Sequence, residues 1–161
     1  MPRIRISLPA QTLELFADGG ERLASYLVST AKNGPGEMRD SLCTPRGKHI
    51  VRAKIGADAR ENTVFVGRRP TGEIYTPQLG ERYPGRDWML TRILWLSGCE
   101  PGFNRLGKVD TMQRYIYIHG SPHSAVMGEP GSIGCIRMRN RDIIELFEQV
   151  VPGTPVLISD T

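Results

Sequence analysis

The stretch YIYIHGSPHSAVMGEPGSIGCIRMRN, residues 115–140, contains the most informative pattern in the chain. A β-branched and aromatic run over residues 115–118 predicts a strand that leads into His119. Residues 121–134 contain three glycines and two prolines, a density of chain breakers that predicts a shaped loop. Cys135 then opens a second apolar run. The stretch therefore predicts two strands joined by one loop, with a histidine and a cysteine at its two ends.

The alternation of side chains along a strand predicts which of these residues share a face. Tyr115, Tyr117 and His119 are expected on one face of the first strand. By the same rule, Arg137 shares a face with Cys135. A thiol needs a neighbouring base or positive charge to become a nucleophile near neutral pH. His119 and Arg137 are the two candidates for that neighbour.

Most of the remaining chain also predicts strands. Alternating or β-branched runs occur at residues 3–8, 11–16, 21–29, 49–55, 63–66, 73–76, 88–96 and 155–159. Loop-like composition occurs at residues 31–48, 67–72, 77–86 and 98–114. One helix is predicted, with Asn140 as its N-cap and Asp142 in its first turn. We therefore expect a mostly β fold, a β-sandwich or partly closed barrel of mixed sheets, with one C-terminal α-helix.

Size and composition predict one globular domain over residues 1–161. An apolar content of 39% with 24% charged residues is typical of a folded protein. The net charge of +4 is mild, and no basic run is interleaved with aromatic residues, so nucleic-acid binding is not expected. No segment reaches a membrane-spanning apolar length, and the N-terminus has no apolar signal-peptide region.

A cysteine and a histidine are the minimum needed for acyl transfer. The imidazole accepts the thiol proton, the thiolate attacks a carbonyl carbon, and an amine or water resolves the thioester. Gly134 lacks a Cβ, which would let substrate approach the backbone closely, and N–H groups around Gly134 and Cys135 could stabilise the oxyanion. Arg137 could lower the thiol pKa or hold a substrate carboxylate.

Other interpretations of the same residues stay open at this point. Cys135 could be a buried apolar residue, or it could bind a metal together with His119 and His123. The three cysteines cannot all form internal disulfides, and Cys43 and Cys99 are expected to be structural or incidental, as is His49. If Cys135 is an activated nucleophile, a cysteine-directed alkylating reagent should modify it faster than the other two cysteines.

Two segments make the pattern more specific: IYIHGSP at residues 116–122 and SIGCIRMRNRDIIELFEQVVPGTPVLI at residues 132–158. They resemble the signature of the L,D-transpeptidase catalytic domain, the YkuD family. In that signature a His-Gly and a loop precede Ser/Thr-His-Gly-Cys, often followed by Ile-Arg-Met, an Asn, a helix and a Gly-Thr-Pro-Val strand. Residues 44–47, TPRG, resemble the family's Thr-Pro-x-Gly element, so the resemblance covers about residues 44–158.

The resemblance implies a cysteine transpeptidase that acts on peptidoglycan stem peptides. Cys135 would attack the carbonyl of the third residue of a tetrapeptide, a diamino acid, and release the terminal D-alanine, with His119 as base and then acid. The acyl group would pass to the side-chain amine of another stem, forming a 3-to-3 crosslink, or to water, as in an L,D-carboxypeptidase. No metal or organic cofactor is implied. Residues expected at the oxyanion or substrate are Gly134, Ser132, Arg137, Ile133, Gly120 and Tyr117.

One position departs from the family pattern: Ile133 occupies the place of the histidine before Gly-Cys. A backbone N–H at position 133 would be kept, but an imidazole beside the nucleophile is lost, and His123 is one residue that could compensate. Ser132 is retained, to contact substrate or to position the loop. A degenerate, non-catalytic module that binds peptidoglycan is therefore an alternative. The resemblance implies a cell-envelope or periplasmic location, while the lack of a signal peptide in this chain leaves a cytoplasmic one open.

Overall fold

The structure, a computed structural model, describes residues 1–161 and is built mainly of strands. The strands are β1 (Arg3–Ser7), β2 (Thr12–Phe16), β3 (Arg22–Leu27), β4 (Gly47–Ile55), β5 (Thr63–Val66), β6 (Arg69–Ile74), β7 (Met89–Gly98), β8 (Tyr117–Ser121), β9 (Ile136–Arg139) and β10 (Pro155–Ser159). The helices are α1 (Pro77–Arg82) and α2 (Asn140–Gln149), with a 3-10 turn at Gly107–Val109. No helix is long and apolar enough to cross a membrane.

All ten strands belong to one mixed sheet. Its main path runs β3-β2-β1-β10-β4-β7-β5-β6, and β8 pairs with β7 and with β9 outside that path. The pairs β1–β10 and β8–β9 are parallel, and the others are antiparallel. The sheet curls into a half-barrel around a core of twenty buried residues that includes one face of α2. The predicted mostly β fold, in its partly closed barrel form, is confirmed.

Strand β7 is the branch point of the sheet. It pairs with β4, β5 and β8, and most of its residues are buried. Such a strand is shielded on both faces and needs apolar side chains nearly throughout. Because β8 pairs with β7 in the sheet, the strand that contains the His-Gly pair rests on the most buried part of the fold.

Two predicted loops are wrong because chain breakers occupy favourable places in regular elements. Only Gly67 and Arg68 form the turn before β6, and Pro70 is accommodated because β6 lies at the edge of the sheet. The segment predicted as a loop over residues 77–86 contains α1. Its Pro77 stands at the start of the helix, and the Thr76 hydroxyl accepts a hydrogen bond from the Leu79 N–H at 3.1 Å.

The boundaries around residues 115–140 also differ from the prediction. Strand β8 begins at Tyr117 and continues through the His-Gly pair, while Tyr115 takes a φ of 57° and does not share the strand's alternation. The N-cap of α2 is Arg139, which makes no side-chain capping bond. Asn140 is instead the first helical residue, and its amide turns inward to donate to the Asn62 side-chain oxygen at 2.7 Å. Asp142 lies in the first turn as predicted.

Gly120 allows β8, β7 and α2 to approach one another closely. A Cβ at this position would overlap the Asn140 side-chain oxygen and would lie 2.5 Å from the Leu90 carbonyl oxygen. The Leu90 contact is with backbone, which cannot move aside without disturbing the β7–β8 pairing. Gly120 therefore sets the spacing of the elements that hold His119, and its expected contact with substrate stays a prediction.

We predict that Gly120→Ala lowers the free energy of unfolding by about 1–3 kcal/mol, because the new methyl group forces backbone to shift in a packed region. The matched control is Gly85→Ala, where a Cβ would meet nothing within 4 Å and the backbone needs no positive φ. Chemical denaturation of both variants measures the difference. Equal stability of the two would contradict the close packing described for Gly120.

Candidate active site

The parallel pairing of β8 with β9 brings the cysteine and the histidine together. In this register Ile118 lies opposite Ile136 and His119 lies opposite Arg137. Cys135 directly precedes β9 and so lies beside Tyr117, whose backbone N–H donates to the Cys135 Sγ at 3.4 Å. Side chains alternate along both strands, so His119 and Cys135 share a face as diagonal neighbours, a spacing of roughly 7–8 Å between Cα atoms that an imidazole can bridge.

The hydrogen bonding of His119 defines which ring nitrogen carries the proton. Its Nδ1 lies 2.6 Å from the carbonyl oxygen of Gly120, and a carbonyl can only accept. A neutral imidazole in this position therefore carries its proton on Nδ1 and its lone pair on Nε2. His119 is completely buried, and Nε2 has no hydrogen-bond partner. A buried basic nitrogen without a partner is held ready to accept a proton.

Burial keeps both members of the pair neutral. Desolvation raises the pKa of the Cys135 thiol to about 12, against the opposing effects of the Tyr117 N–H and of Arg137 and Arg114. Desolvation lowers the pKa of His119, although its bond to the Gly120 carbonyl and the nearby Asp87 carboxylate act in the other direction. The resting pair is therefore thiol and imidazole. The Sγ also donates to the Tyr115 carbonyl oxygen at 3.5 Å, as only a protonated thiol can.

A network of buried hydrogen bonds fixes the loop before Cys135. The Thr44 hydroxyl donates to the Gly134 carbonyl at 2.9 Å and accepts from the Ala31 N–H at 3.0 Å. The Ser132 hydroxyl donates to the Cys135 carbonyl at 2.6 Å and accepts from the Gly134 N–H at 3.2 Å. Both hydroxyls are buried and fully used within the protein, so of the two roles considered for Ser132 the geometry favours positioning.

The backbone on either side of Gly134 presents unused donors. Gly134 takes a φ of 135°, a region that favours glycine, and its N–H is used by the loop. The N–H groups of Ile133 and Cys135 donate no hydrogen bond. These two N–H groups, rather than that of Gly134, are available to a developing oxyanion.

Arg137 is already paired. Its guanidinium forms an ion pair with Asp87 at 3.0 Å and donates to the Gly131 carbonyl at 3.1 Å. The positive charge that was expected near the thiol is present, but the acidic partner opposes it at both Cys135 and His119. A substrate carboxylate would have to compete with Asp87 for this guanidinium, which disfavours Arg137 as the main anion contact.

The structure places three other residues considered in the sequence, Ile133, His123 and His49, in different surroundings. The Ile133 side chain is exposed and lines a cavity of about 200 Å³ next to Tyr115, together with Leu42. His123 lies on the far loop, where it lines cavities of about 640 and 300 Å³ that contain neither Cys135 nor His119. That His123 compensates for the missing imidazole stays a prediction. His49 is buried in a structural role, with Nε2 2.9 Å from the Thr111 hydroxyl.

No group of three or more His, Cys, Asp or Glu side chains is arranged to hold a metal ion. All three cysteines are free, with Cys135 buried, Cys43 intermediate and Cys99 exposed. The pair that remains, a buried thiol with a neutral imidazole one pleat away, can support proton transfer and nucleophilic attack without a bound metal.

Three contributors to this site were not predicted from the sequence. Asp87 follows a loop of prolines and glycines with no motif around it, Tyr115 acts through its carbonyl, and Arg114 holds the segment before Thr44 by donating to the Cys43 carbonyl at 2.7 Å. Thr44, which also fixes this loop, had a signal in the sequence because it belongs to the family element at residues 44–47. The others depend on contacts between segments far apart in the chain.

Comparison with known proteins identifies the family of the chain. The family model of the L,D-transpeptidase catalytic domain, YkuD, matches residues 1–158. YqjB of Bacillus subtilis, assigned to the L,D-transpeptidases, is 41% identical over 135 residues, which cover 84% of this chain and 58% of the relative. YkuD of the same organism is 36% identical over 95 residues, or 59% and 48% of the two chains. The chain thus spans about half the length of these relatives.

A solved structure with a similar fold is L,D-transpeptidase 3 from Mycobacterium tuberculosis, in complex with a faropenem-derived adduct. It superimposes with a TM-score of 0.58 at 17% identity, over 98% of this chain and 60% of the other. At that identity the likeness shows the shared fold, the curled mixed sheet with a helix late in the chain. With the family match over residues 1–158, the chain belongs to the L,D-transpeptidase (YkuD) family.

Proposed function

We propose that this protein is a cysteine-dependent L,D-transpeptidase that acts on peptidoglycan stem peptides through a thioester at Cys135. One observation carries the proposal: the unpartnered Nε2 of a completely buried His119, on the strand beside that cysteine. A structural histidine would satisfy both ring nitrogens, as His49 does. Membership of the family supports peptidoglycan as the substrate class.

The first half-reaction begins from the neutral pair. The Cys135 sulfur attacks the carbonyl carbon of the third residue of a stem tetrapeptide while His119 Nε2 accepts the thiol proton. The bond from the Tyr117 N–H to the Sγ supports the sulfur as negative charge develops. The Asp87 carboxylate favours the imidazolium that forms, because a nearby negative charge stabilises the protonated ring.

The tetrahedral intermediate places its oxyanion among backbone donors. The free N–H groups of Cys135 and Ile133 are the proposed partners, and the Thr44 and Ser132 hydroxyls keep that backbone rigid. Neither donor depends on a side chain at position 133. The replacement of the family's histidine by Ile133 is therefore compatible with catalysis, and it changes the surface next to the nucleophile from polar to apolar.

Collapse of the intermediate breaks the peptide bond. The amine of the terminal D-alanine leaves with the proton held by His119, and the acyl group stays on sulfur as a thioester. The side-chain amine of a second stem then attacks the thioester, giving up its proton to the same imidazole and restoring the thiol. If water takes the place of the amine, the product is a tripeptide and the enzyme acts as a carboxypeptidase.

We predict that Cys135→Ala and His119→Gln each reduce D-alanine release from a stem tetrapeptide more than about 10³-fold, because they remove the nucleophile or its base. The matched control is Cys99→Ala, which deletes the exposed thiol and should keep wild-type turnover. Mass spectrometry of the products distinguishes a crosslinked peptide from a free tripeptide. Normal D-alanine release by either site variant would refute the assignment.

The structure also changes what is expected of thiol labelling. Burial and the raised pKa protect Cys135, so iodoacetamide at neutral pH should modify the exposed Cys99 first and Cys135 last, the reverse of the order expected from the sequence. The Cys135 rate should keep rising with pH toward about 12, because the thiolate fraction grows until the pKa is reached. Peptide mapping after timed labelling measures each rate. Fast labelling of Cys135 with a plateau near neutral pH would rule out the neutral pair.

A further inference from the structure

Arg68 occupies the turn between β5 and β6 and lies over an aromatic wall beside the nucleophile. Its guanidinium carbon is 4.3 Å from the ring centre of Trp95 and 5.2 Å from that of Tyr115. Its Nη1 donates to the Tyr117 hydroxyl at 3.0 Å. These contacts hold a planar cation in one orientation, since the guanidinium stacks on two rings and is fixed by a hydrogen bond at one edge.

Arg68 is connected to the reacting sulfur through a single residue. The hydroxyl of Tyr117 receives the Arg68 bond, and the backbone N–H of the same tyrosine donates to the Cys135 Sγ. The other aromatic contact, Tyr115, accepts a hydrogen bond from the Cys135 thiol at its backbone carbonyl oxygen. Both tyrosines that contact the guanidinium therefore also contact the sulfur through their backbone.

No acidic residue neutralises this cation. Arg46, Arg86 and Arg137 each form an ion pair with a carboxylate of the chain, whereas Arg68 forms none. One of its N–H groups is used by Tyr117, and the rest of the fork has no acceptor in the chain. A second arginine, Arg52, lies 5.6 Å from the ring centre of Trp95, so this wall is positively charged overall. An oriented and unpaired guanidinium is suited to bidentate binding of a carboxylate.

The backbone at Arg68 is also unusual. Gly67 and Arg68 take φ values of 57° and 65°, the conformation of a two-residue hairpin turn that favours asparagine or glycine at both positions. An arginine there costs conformational energy, and such outliers concentrate at functional sites. The turn directs the side chain back over the sheet, toward Tyr117, rather than out into solvent.

We infer that Arg68 binds the terminal α-carboxylate of the donor peptide and so selects stems that end in a free D-amino acid. In the proposed reaction that carboxylate belongs to the leaving residue and is separated from the attacked carbonyl only by one nitrogen and one α-carbon. A cation held by the two tyrosines that also contact the sulfur lies on the side of the site where this carboxylate would be bound. Arg137 fits the role less well because its guanidinium already forms an ion pair with Asp87. The inference rests on the proposed function and assigns its substrate specificity.

The test compares two stem tetrapeptides that differ only at the C-terminus, one with a free carboxylate and one with a carboxamide. Wild-type protein should prefer the acid by about 10- to 100-fold in kcat/KM, the size of a charged hydrogen-bonded contact. Arg68→Met should lower kcat/KM for the acid by that factor and leave kcat/KM for the amide nearly unchanged. The preference of Arg68→Lys for the acid should lie between those of the wild type and of Arg68→Met, because an ammonium keeps the charge but not the planar fork.

Arg69→Met is the matched control. Arg69 is the next residue on the same hairpin, is exposed, and makes no ion pair or aromatic contact. The Arg69→Met substitution removes one positive charge from the same hairpin and should retain the wild-type preference for the acid. Thermal unfolding of all variants checks that the fold is intact. If Arg68→Met still prefers the acid as strongly as the wild type does, the inference is overturned while the proposed function stands.

A binding measurement separates failure of the inference from failure of the proposed function. If the wild type released neither D-alanine from the acid nor D-alaninamide from the amide, that would count against the proposed function. Calorimetric titration of the Cys135→Ala variant with the same two peptides then tests Arg68 independently of turnover. Tighter binding of the acid, lost on adding Arg68→Met, supports the inference. Equal affinity for acid and amide contradicts it.

Discussion

The parallel pairing of β8 with β9 is the constraint on which the site depends. Its register sets His119 opposite Arg137 and leaves Cys135 beside Tyr117, so that residues sixteen positions apart share one face of the sheet. The partners of these strands hold the register from both sides. The central strand β7 pairs with β8, and the backbone of residues 29–32 pairs with the loop and with β9 through Ser29 and Ala31. A slip of one residue would turn either the thiol or the imidazole to the opposite face.

Burial determines the chemical state of this pair. Desolvation acts in opposite directions on the two groups, raising the pKa of the thiol and lowering that of the imidazole, and both changes favour the neutral forms. In the proposed reaction the thiolate would therefore form as the proton moves to Nε2 of His119, because the resting thiol is protonated. The Asp87–Arg137 ion pair stands close by with nearly balanced charge, so it does not convert the resting pair into an ion pair.

The sequence predicted the elements and the pair, but not the contacts that tune them. The strand β7, the helix α2 and the two ends of the loop over residues 121–134 follow from apolar patterning and chain breakers, which are local properties. The helix at Pro77–Arg82 and the strand from Arg69 were missed, because proline and glycine were counted as breakers where a helix start and a sheet edge accept them. Arg137 pairs with Asp87 across fifty residues, and Arg68 bonds to Tyr117 from a separate hairpin. No local sequence pattern encodes either contact or the lack of an acidic partner for Arg68. The ion pair with Asp87 offsets the positive charge that was expected of Arg137 near the thiol.

The protonation state of His119 tests the central claim most directly. In protein with ¹⁵N-labelled histidine, the nitrogen chemical shifts of His119 should report a proton on Nδ1 and a bare Nε2 at pH 7, since the Gly120 carbonyl can only accept. That neutral form should persist below the ordinary histidine pKa of about 6.5, because burial lowers the pKa of this ring. An imidazolium at pH 7, or a neutral ring with its proton on Nε2, would contradict the account of a neutral thiol beside a waiting base.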